Sequence, residues 1–209
     1  LVHGRELLWG GVKVVAVQRH SAGHKLPPHK VNYGAFARAA KVLGVKGTIA
    51  TAAVGSLVPE WVPGTLVVCS DFLDGSGRQI TLFDRTVSHR DFSDPFDPGL
   101  RKQLCAAAEK CGCKFEPEGV YLMLNGPRYE TPTEIKMVRS WGADVIGMTA
   151  SSEAIVMREA GIPYACLAVV TNLAAGISET PLDHSEVLDV MKDRGEDVLE
   201  LLQVAVEQP

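Results

Sequence analysis

The feature that most constrains this chain is a recurring run of apolar, largely β-branched residues, found at 12–17, 47–54, 65–69, 119–124, 144–148 and 165–170. Most of these runs are apolar at successive positions rather than at every second one, the pattern of strands covered on both faces. Between them, segments 31–43, 99–111, 131–141, 152–160 and 184–202 carry apolar residues at helical spacing. Doubly covered strands alternating with helices predict an α/β fold with a central mixed, largely parallel sheet flanked by helices. No internal repeat or Pro/Ser linker divides the chain, so residues 1–209 read as a single domain. Asp97-Pro98 and Thr131-Pro132 mark helix starts, because proline in the first turn gives up no needed hydrogen bond. Gly44, Gly142 and Gly161 follow helices where a left-handed stop is wanted. The polar stretch 71–98 lacks a regular pattern and reads as a functional loop or subunit contact. The chain opens at Leu1 rather than Met, and its first convincing strand comes only at residue 12. The expectation is that part of the natural N-terminus is missing.

Composition removes several function classes. A net charge of −4 argues against general affinity for nucleic-acid backbones, which requires a basic excess. No apolar run approaches the ~20 residues of a membrane helix and no signal peptide is visible, so a cytoplasmic location is expected. The five cysteines, Cys69, Cys105, Cys111, Cys113 and Cys166, are odd in number and several lie in apolar runs, which suits buried free thiols. Cys111 and Cys113 form a possible redox or metal pair, but no second pair or adjacent histidine completes a zinc site, and no metal is expected.

Four segments bring polar groups to strand ends, where ligands bind in open α/β sheets. Arg19 and His20, followed by His24, Lys25, His29 and Lys30, place donors and positive charge after the first run; they suit phosphate, or form a solvated basic turn. Thr51 to Ser56 combines small residues that let a backbone amide approach an anion, or simply make a tight bulge. In Asn125-Gly126-Pro127-Arg128-Tyr129-Glu130-Thr131 the tyrosine offers a ring face and Glu130 an acceptor, though the glutamate also suits a helix's positive end. Met148-Thr149 and Thr171-Asn172 close two further apolar runs; Thr149 can donate to phosphate, Met148 can lie along a sugar, and Asn172 offers both donor and acceptor or ends a strand as an ordinary turn residue. No GxGxxG follows a strand, and no cofactor is expected.

Taken together and in this order, these segments resemble the trimeric purine nucleoside phosphorylase and methylthioadenosine phosphorylase family. The resemblance runs from about residue 12 to residue 202 and is strongest at Arg19-His20, Lys30-Val31-Asn32-Tyr33, Gly126 to Thr131 and Trp141 to Thr149. It implies a purine-salvage glycosyltransferase (pentosyltransferase) with inorganic phosphate as co-substrate, a homotrimer with sites at subunit interfaces. By position it implies that Arg19, His20, the Ala53 backbone and Thr149 hold phosphate, and that Tyr129, Glu130, Met148 and Asn172 surround the nucleoside. Asn172, Glu130 and His20 would carry the catalysis. His89 aligns with a residue that reaches a neighbouring subunit's site, and His184 with a histidine on the 5′-hydroxyl, although Asp183-His184-Ser185 also reads as a helix start.

Base preference follows from hydrogen-bond chemistry. Members of the family acting on 6-aminopurines carry aspartate where this chain has Asn172, and a second aspartate where it has Ala174. A neutral amide can donate to one of O6 and N7 and accept from the other when it is protonated, and Glu130 fits the N1–H of hypoxanthine or guanine. Inosine and guanosine are therefore expected over adenosine, with methylthioinosine or methylthioadenosine as the alternative nucleoside. One departure stands out: the family's N-terminal strand and Gly-Ser/Thr-Gly phosphate loop have no counterpart here, so a shortened, non-catalytic nucleoside binder is the other alternative. A hydrolase would need an aspartate-rich calcium site that this chain lacks.

Overall fold

The computed structural model describes residues 3–177 and 184–207, the side chains of residues 184–186 excepted. Its first element is a hairpin, β1 (Gly4–Trp9) against β2 (Val12–Val17), antiparallel from Gly4↔Val17 to Trp9↔Val12. The two-residue turn needs positive φ at both positions, and Gly10 (52°) and Gly11 (87°) supply it. Two expectations are corrected here. A strand precedes residue 12, and the run 12–17 is not a core strand: Val12, Val15 and Val17 are exposed on a ribbon apart from the main sheet. Successive β-branched residues satisfy a two-stranded ribbon's backbone as readily as a buried strand's, so that pattern did not separate the two cases.

Among the described residues the main sheet has seven strands: β3 (Thr48–Ser56), β4 (Leu66–Val68), β5 (Asp71–Asp74), β6 (Phe115–Glu116), β7 (Val120–Met123), β8 (Val145–Gly147) and β9 (Tyr164–Leu173), in the order β5-β7-β8-β3-β9-β4-β6. Four contacts are parallel, while β3–β8 and β4–β9 are antiparallel, so the sheet is mixed and mostly parallel as expected. β5 and β6 were not anticipated. One is four residues framed by Asp71 and Asp74 inside the polar stretch, the other a two-residue edge.

Among the described residues six α-helices flank this sheet: α1 (Tyr33–Val42), α2 (Pro98–Lys110), α3 (Pro132–Ser140), α4 (Ala150–Ala160), α5 (His184–Asp193) and α6 (Gly195–Glu207). Their starts are chemically marked. Asp97 accepts from Leu100 N at 2.9 Å, and Thr131 with Glu134 forms a reciprocal capping box. The single helix expected over 184–202 is two helices, and at the break Arg194 Nε and Nη2 donate to Gly64 O at 3.0 and 2.8 Å. Strand β9 is the centre of the core. Cys166, Ala168 and Val170 face α1 and α4, whereas Ala165, Leu167 and Val169 face α2 and α6. Period-two alternation thus feeds two cores, and each fully buried leucine, such as Leu104 or Leu201, adds about 1.5–3 kcal/mol relative to exposure. All five cysteines are free. Cys69 and Cys166 are buried as expected, but Cys105 in the middle of α2 and Cys111 and Cys113 just after it are only half-buried.

Candidate active site

The site begins where two strands part. β3 and β8 pair only at Gly55↔Ile146 and Ser56↔Val145, so among the described residues the earlier part of β3 has no strand partner on that side. Ala53 is exposed there although it lies in a central strand between buried Ala52 and Val54. On the other side β8 runs through half-buried Met148 to Thr149, the N-cap of α4, whose hydroxyl caps no amide of its own helix. Tyr121 takes that role from inside: its hydroxyl accepts from Thr149 N at 3.2 Å and Ala150 N at 3.4 Å.

Arg19 crosses this opening. Its Nη1 donates to Thr51 O at 2.8 Å, while Nε and Nη2 donate to the two carboxylate oxygens of Glu153 at 2.6 and 3.0 Å. Burial opposes the guanidinium charge, but the Glu153 carboxylate outweighs it, so the Arg19 pKa is raised. Glu153 lies one turn along α4 from Thr149 and also accepts from Tyr164 Oη at 2.8 Å. His20 sits beside this pair with Nδ1 2.8 Å from Leu26 O. A carbonyl can only accept, so Nδ1 carries the hydrogen, leaving Nε2 of the neutral ring as an acceptor. Burial lowers the His20 pKa, with His24 and Arg19 adding to the effect and the Leu26 carbonyl opposing it. Arg19, His20, Thr51–Ala53 and Thr149 are thus brought around one opening.

The second group adjoins it through Met148, whose side chain lies against Gly126. The loop from Asn125 carries Tyr129, 37% exposed, and half-buried Glu130, whose pKa is raised chiefly by burial. At the end of β9 the register shifts between Val54↔Val170 and Gly55↔Asn172, a bulge that re-aims the strand end. Gly55 makes room for it, since a Cβ there would lie 3.1 Å from Asn172 Nδ2. Asn172 accepts from Thr171 Oγ1 and donates to Leu173 O, both at 3.0 Å, which leaves its second N–H unused by these bonds. The chain after β9 then packs at Gly176 against Pro132, bringing the Asn172 end of β9 beside the start of α3.

Two candidates fall elsewhere. His89 is exposed on the 75–97 loop, held at the far end of α4 rather than at this opening. The side chain of His184 lies outside the described residues. The structure also adds residues that the sequence did not single out. Arg78 donates to Asn125 Oδ1 at 2.8 Å and to Asn125 O, Met148 O (3.0 Å), Ser152 Oγ (3.2 Å) and Tyr33 Oη (3.2 Å). It ties the Asn125 loop to the β8–α4 junction. In the sequence it is one of three arginines in the polar stretch, with Arg85 and Arg90, and nothing local sets it apart, while Glu153 was hidden among the small residues opening α4.

Fold and site together define a class: a mixed-sheet α/β protein with charged and polar groups, Arg19, Glu153, Thr149 and Asn172 among them, gathered about its strand ends. The chain belongs to the phosphorylase superfamily, whose family model matches residues 2–207. It is 42% identical to a 6-oxopurine nucleoside phosphorylase of Pyrococcus furiosus, covering 94% of this chain and 78% of that one. A probable 6-oxopurine nucleoside phosphorylase of Moorella thermoacetica is 44% identical, covering 94% and 77%. A probable S-methyl-5′-thioinosine phosphorylase of Methanopyrus kandleri is 39% identical, covering 95% and 78%. The structure superposes on the methylthioadenosine phosphorylase of Schistosoma mansoni in complex with adenine with a TM-score of 0.93 at 32% identity, covering 97% and 78%.

Proposed function

We propose that this chain is a purine nucleoside phosphorylase, a pentosyltransferase that uses inorganic phosphate to release hypoxanthine or guanine from inosine or guanosine, giving ribose 1-phosphate. The observation that carries the base preference is the neutral amide of Asn172, held at the bulged end of β9 with one N–H not engaged among the described residues. Four 6-oxopurine nucleoside phosphorylases and probable phosphorylases at 40–45% identity support the same reading.

The glycosidic bond stretches first, leaving oxocarbenium character on the sugar and negative charge on the base. Asn172 donates to the charging O6/N7 edge and Glu130 accepts from N1–H, while Tyr129 and Met148 flank ring and sugar. A donor aimed at charge that develops in the transition state contributes on the order of 3 kcal/mol. Phosphate bound by Arg19, His20, the Ala53 amide and Thr149 attacks the anomeric carbon from the opposite face, its charge steadying the cationic sugar. No cofactor enters this scheme. His184 serves the 5′-hydroxyl, and His89 completes the site of the next subunit in a cytoplasmic homotrimer acting in purine salvage.

The test is release of free hypoxanthine from inosine by this chain, with and without phosphate, with methylthioinosine in parallel. Phosphate-dependent release from inosine supports the reading. Preference for methylthioinosine favours the second reading, to which the Methanopyrus relative points. Purine binding without release, indifferent to phosphate, leaves a nucleoside binder.

A further inference from the structure

We propose that Glu153 is the positioning residue of the phosphate site, fixing Arg19 so that one N–H on each of its terminal nitrogens is left for the anion. This inference rests on the phosphorylase reading above and adds a residue to it. A guanidinium has five N–H groups. Among the described residues three are committed: Nε and Nη2 to the Glu153 carboxylate and Nη1 to Thr51 O. The remaining two sit on Nη1 and Nη2, beside the opening between exposed Ala53 and Thr149. A planar fork held on one side meets an oxyanion on another without reorganising, and pre-organisation of this kind strengthens binding.

Glu153 is itself fixed. Its side chain is 9% exposed, Tyr164 Oη donates to Oε2, and its backbone N–H bonds to Thr149 O at 3.3 Å. One helical turn therefore carries both the hydroxyl offered to phosphate and the carboxylate that aims the arginine. A carboxylate so near an anion site weakens the attraction of Arg19 for phosphate, and its place there is explained by geometry rather than by charge. The two roles predict opposite signs on its removal.

The test uses Glu153→Gln and Tyr164→Phe in the full chain, measuring KM for phosphate and for inosine, calorimetric binding of inorganic phosphate alone, and melting temperature. Replacing the carboxylate by an amide leaves one acceptor and turns an NH2 toward Arg19. It should raise phosphate KM and Kd about tenfold or more, the scale of one charge-assisted hydrogen bond, with inosine KM within about twofold. Tyr164→Phe is isosteric and keeps the ion pair, so about a threefold rise in the phosphate constants alone is expected. In an Arg19→Ala background, Glu153→Gln should have no further effect on phosphate binding. Unchanged or tighter phosphate binding in Glu153→Gln overturns the inference, as does a fall in melting temperature with both KM values moving together. Should Glu153→Gln not fold, Tyr164→Phe decides by the same constants. A wild type that binds phosphate but releases no base counts against the phosphorylase reading, and the calorimetric comparison still judges the role of Glu153.

Discussion

At Asn172 an amide and a carboxylate differ by an NH2 group, two N–H donors that the carboxylate lacks. The Nδ2 group donates to Leu173 O and, among the described residues, has its second N–H uncommitted, while Oδ1 already accepts from Thr171. Asn172→Asp removes both N–H groups and places a carboxylate against the Leu173 carbonyl. We expect the ratio of kcat/KM for adenosine over inosine to rise at least about tenfold, one buried hydrogen bond's worth, in paired steady-state assays; an unchanged ratio sinks this account of base selection. His20 makes a second prediction, in pH. Its pKa is lowered from 6.5 chiefly by burial, so between that lowered value and 6.5 the unfolded chain binds more protons than the folded one. Stability therefore falls as pH drops through this window. Denaturant titrations below pH 6.5 should show that slope, and His20→Asn should flatten it. Residues such as Arg19, Thr149 and Asn172 were legible because each ends an apolar run. Glu153, Arg78 and Tyr121 were not, because what defines them is a partner far away in sequence: Glu153 meets Arg19, and Arg78 meets Met148.

At the scale of elements, chemistry at the ends was more legible than the run of residues between them. The start of α3 is the clearest case: Thr131 Oγ1 accepts from Glu134 N at 3.2 Å, and Glu134 Oε2 accepts from Thr131 N at 2.8 Å and from Arg128 Nη1 at 2.9 Å. This network also fixes the loop bearing Tyr129 and Glu130. Thr131→Ala should lower stability by about 1 kcal/mol and raise KM for nucleoside while sparing phosphate, which chemical denaturation and kinetics would separate. Hydrogen bonding to Arg128 depresses the Glu134 pKa from 4.5 to about 2. The capping network is thus fully present above pH 4.5 and lost as pH falls toward 2, so the deficit of Thr131→Ala should shrink on acidification. What the sequence hid at this scale has equally local causes. β5 and β6 are too short to show a period, the break between α5 and α6 is tied to Gly64 far away in the chain, and β2 imitates a core strand without neighbours to cover it.

For the molecule as a whole, the alternation of strand and helix foretold the layered α/β architecture, but no pattern in one chain foretells which surfaces meet another copy. Here the 75–97 loop is informative. Thr81 and Leu82 bond to the Glu159 carboxylate and Arg158 Nε donates to Asp91 O at 2.8 Å, so the loop is anchored at the C-terminal end of α4. Arg158 lies roughly 13 Å along the helix axis from Thr149 at 1.5 Å per residue. Exposed His89, two residues before Asp91, is therefore carried away from its own chain's opening. The consequence is a mixing experiment. If the chain assembles as the proposed homotrimer, His89→Ala and Thr149→Ala should each leave it poorly active. If every site combines Thr149 of one chain with His89 of the next, co-assembly at equal ratio leaves about one quarter of sites with both native residues, by random placement around a closed ring. Activity should then rise from near zero toward about that fraction of wild type on co-expression or refolding together. If His89 serves its own chain, every site in the mixture carries one lesion and no activity returns.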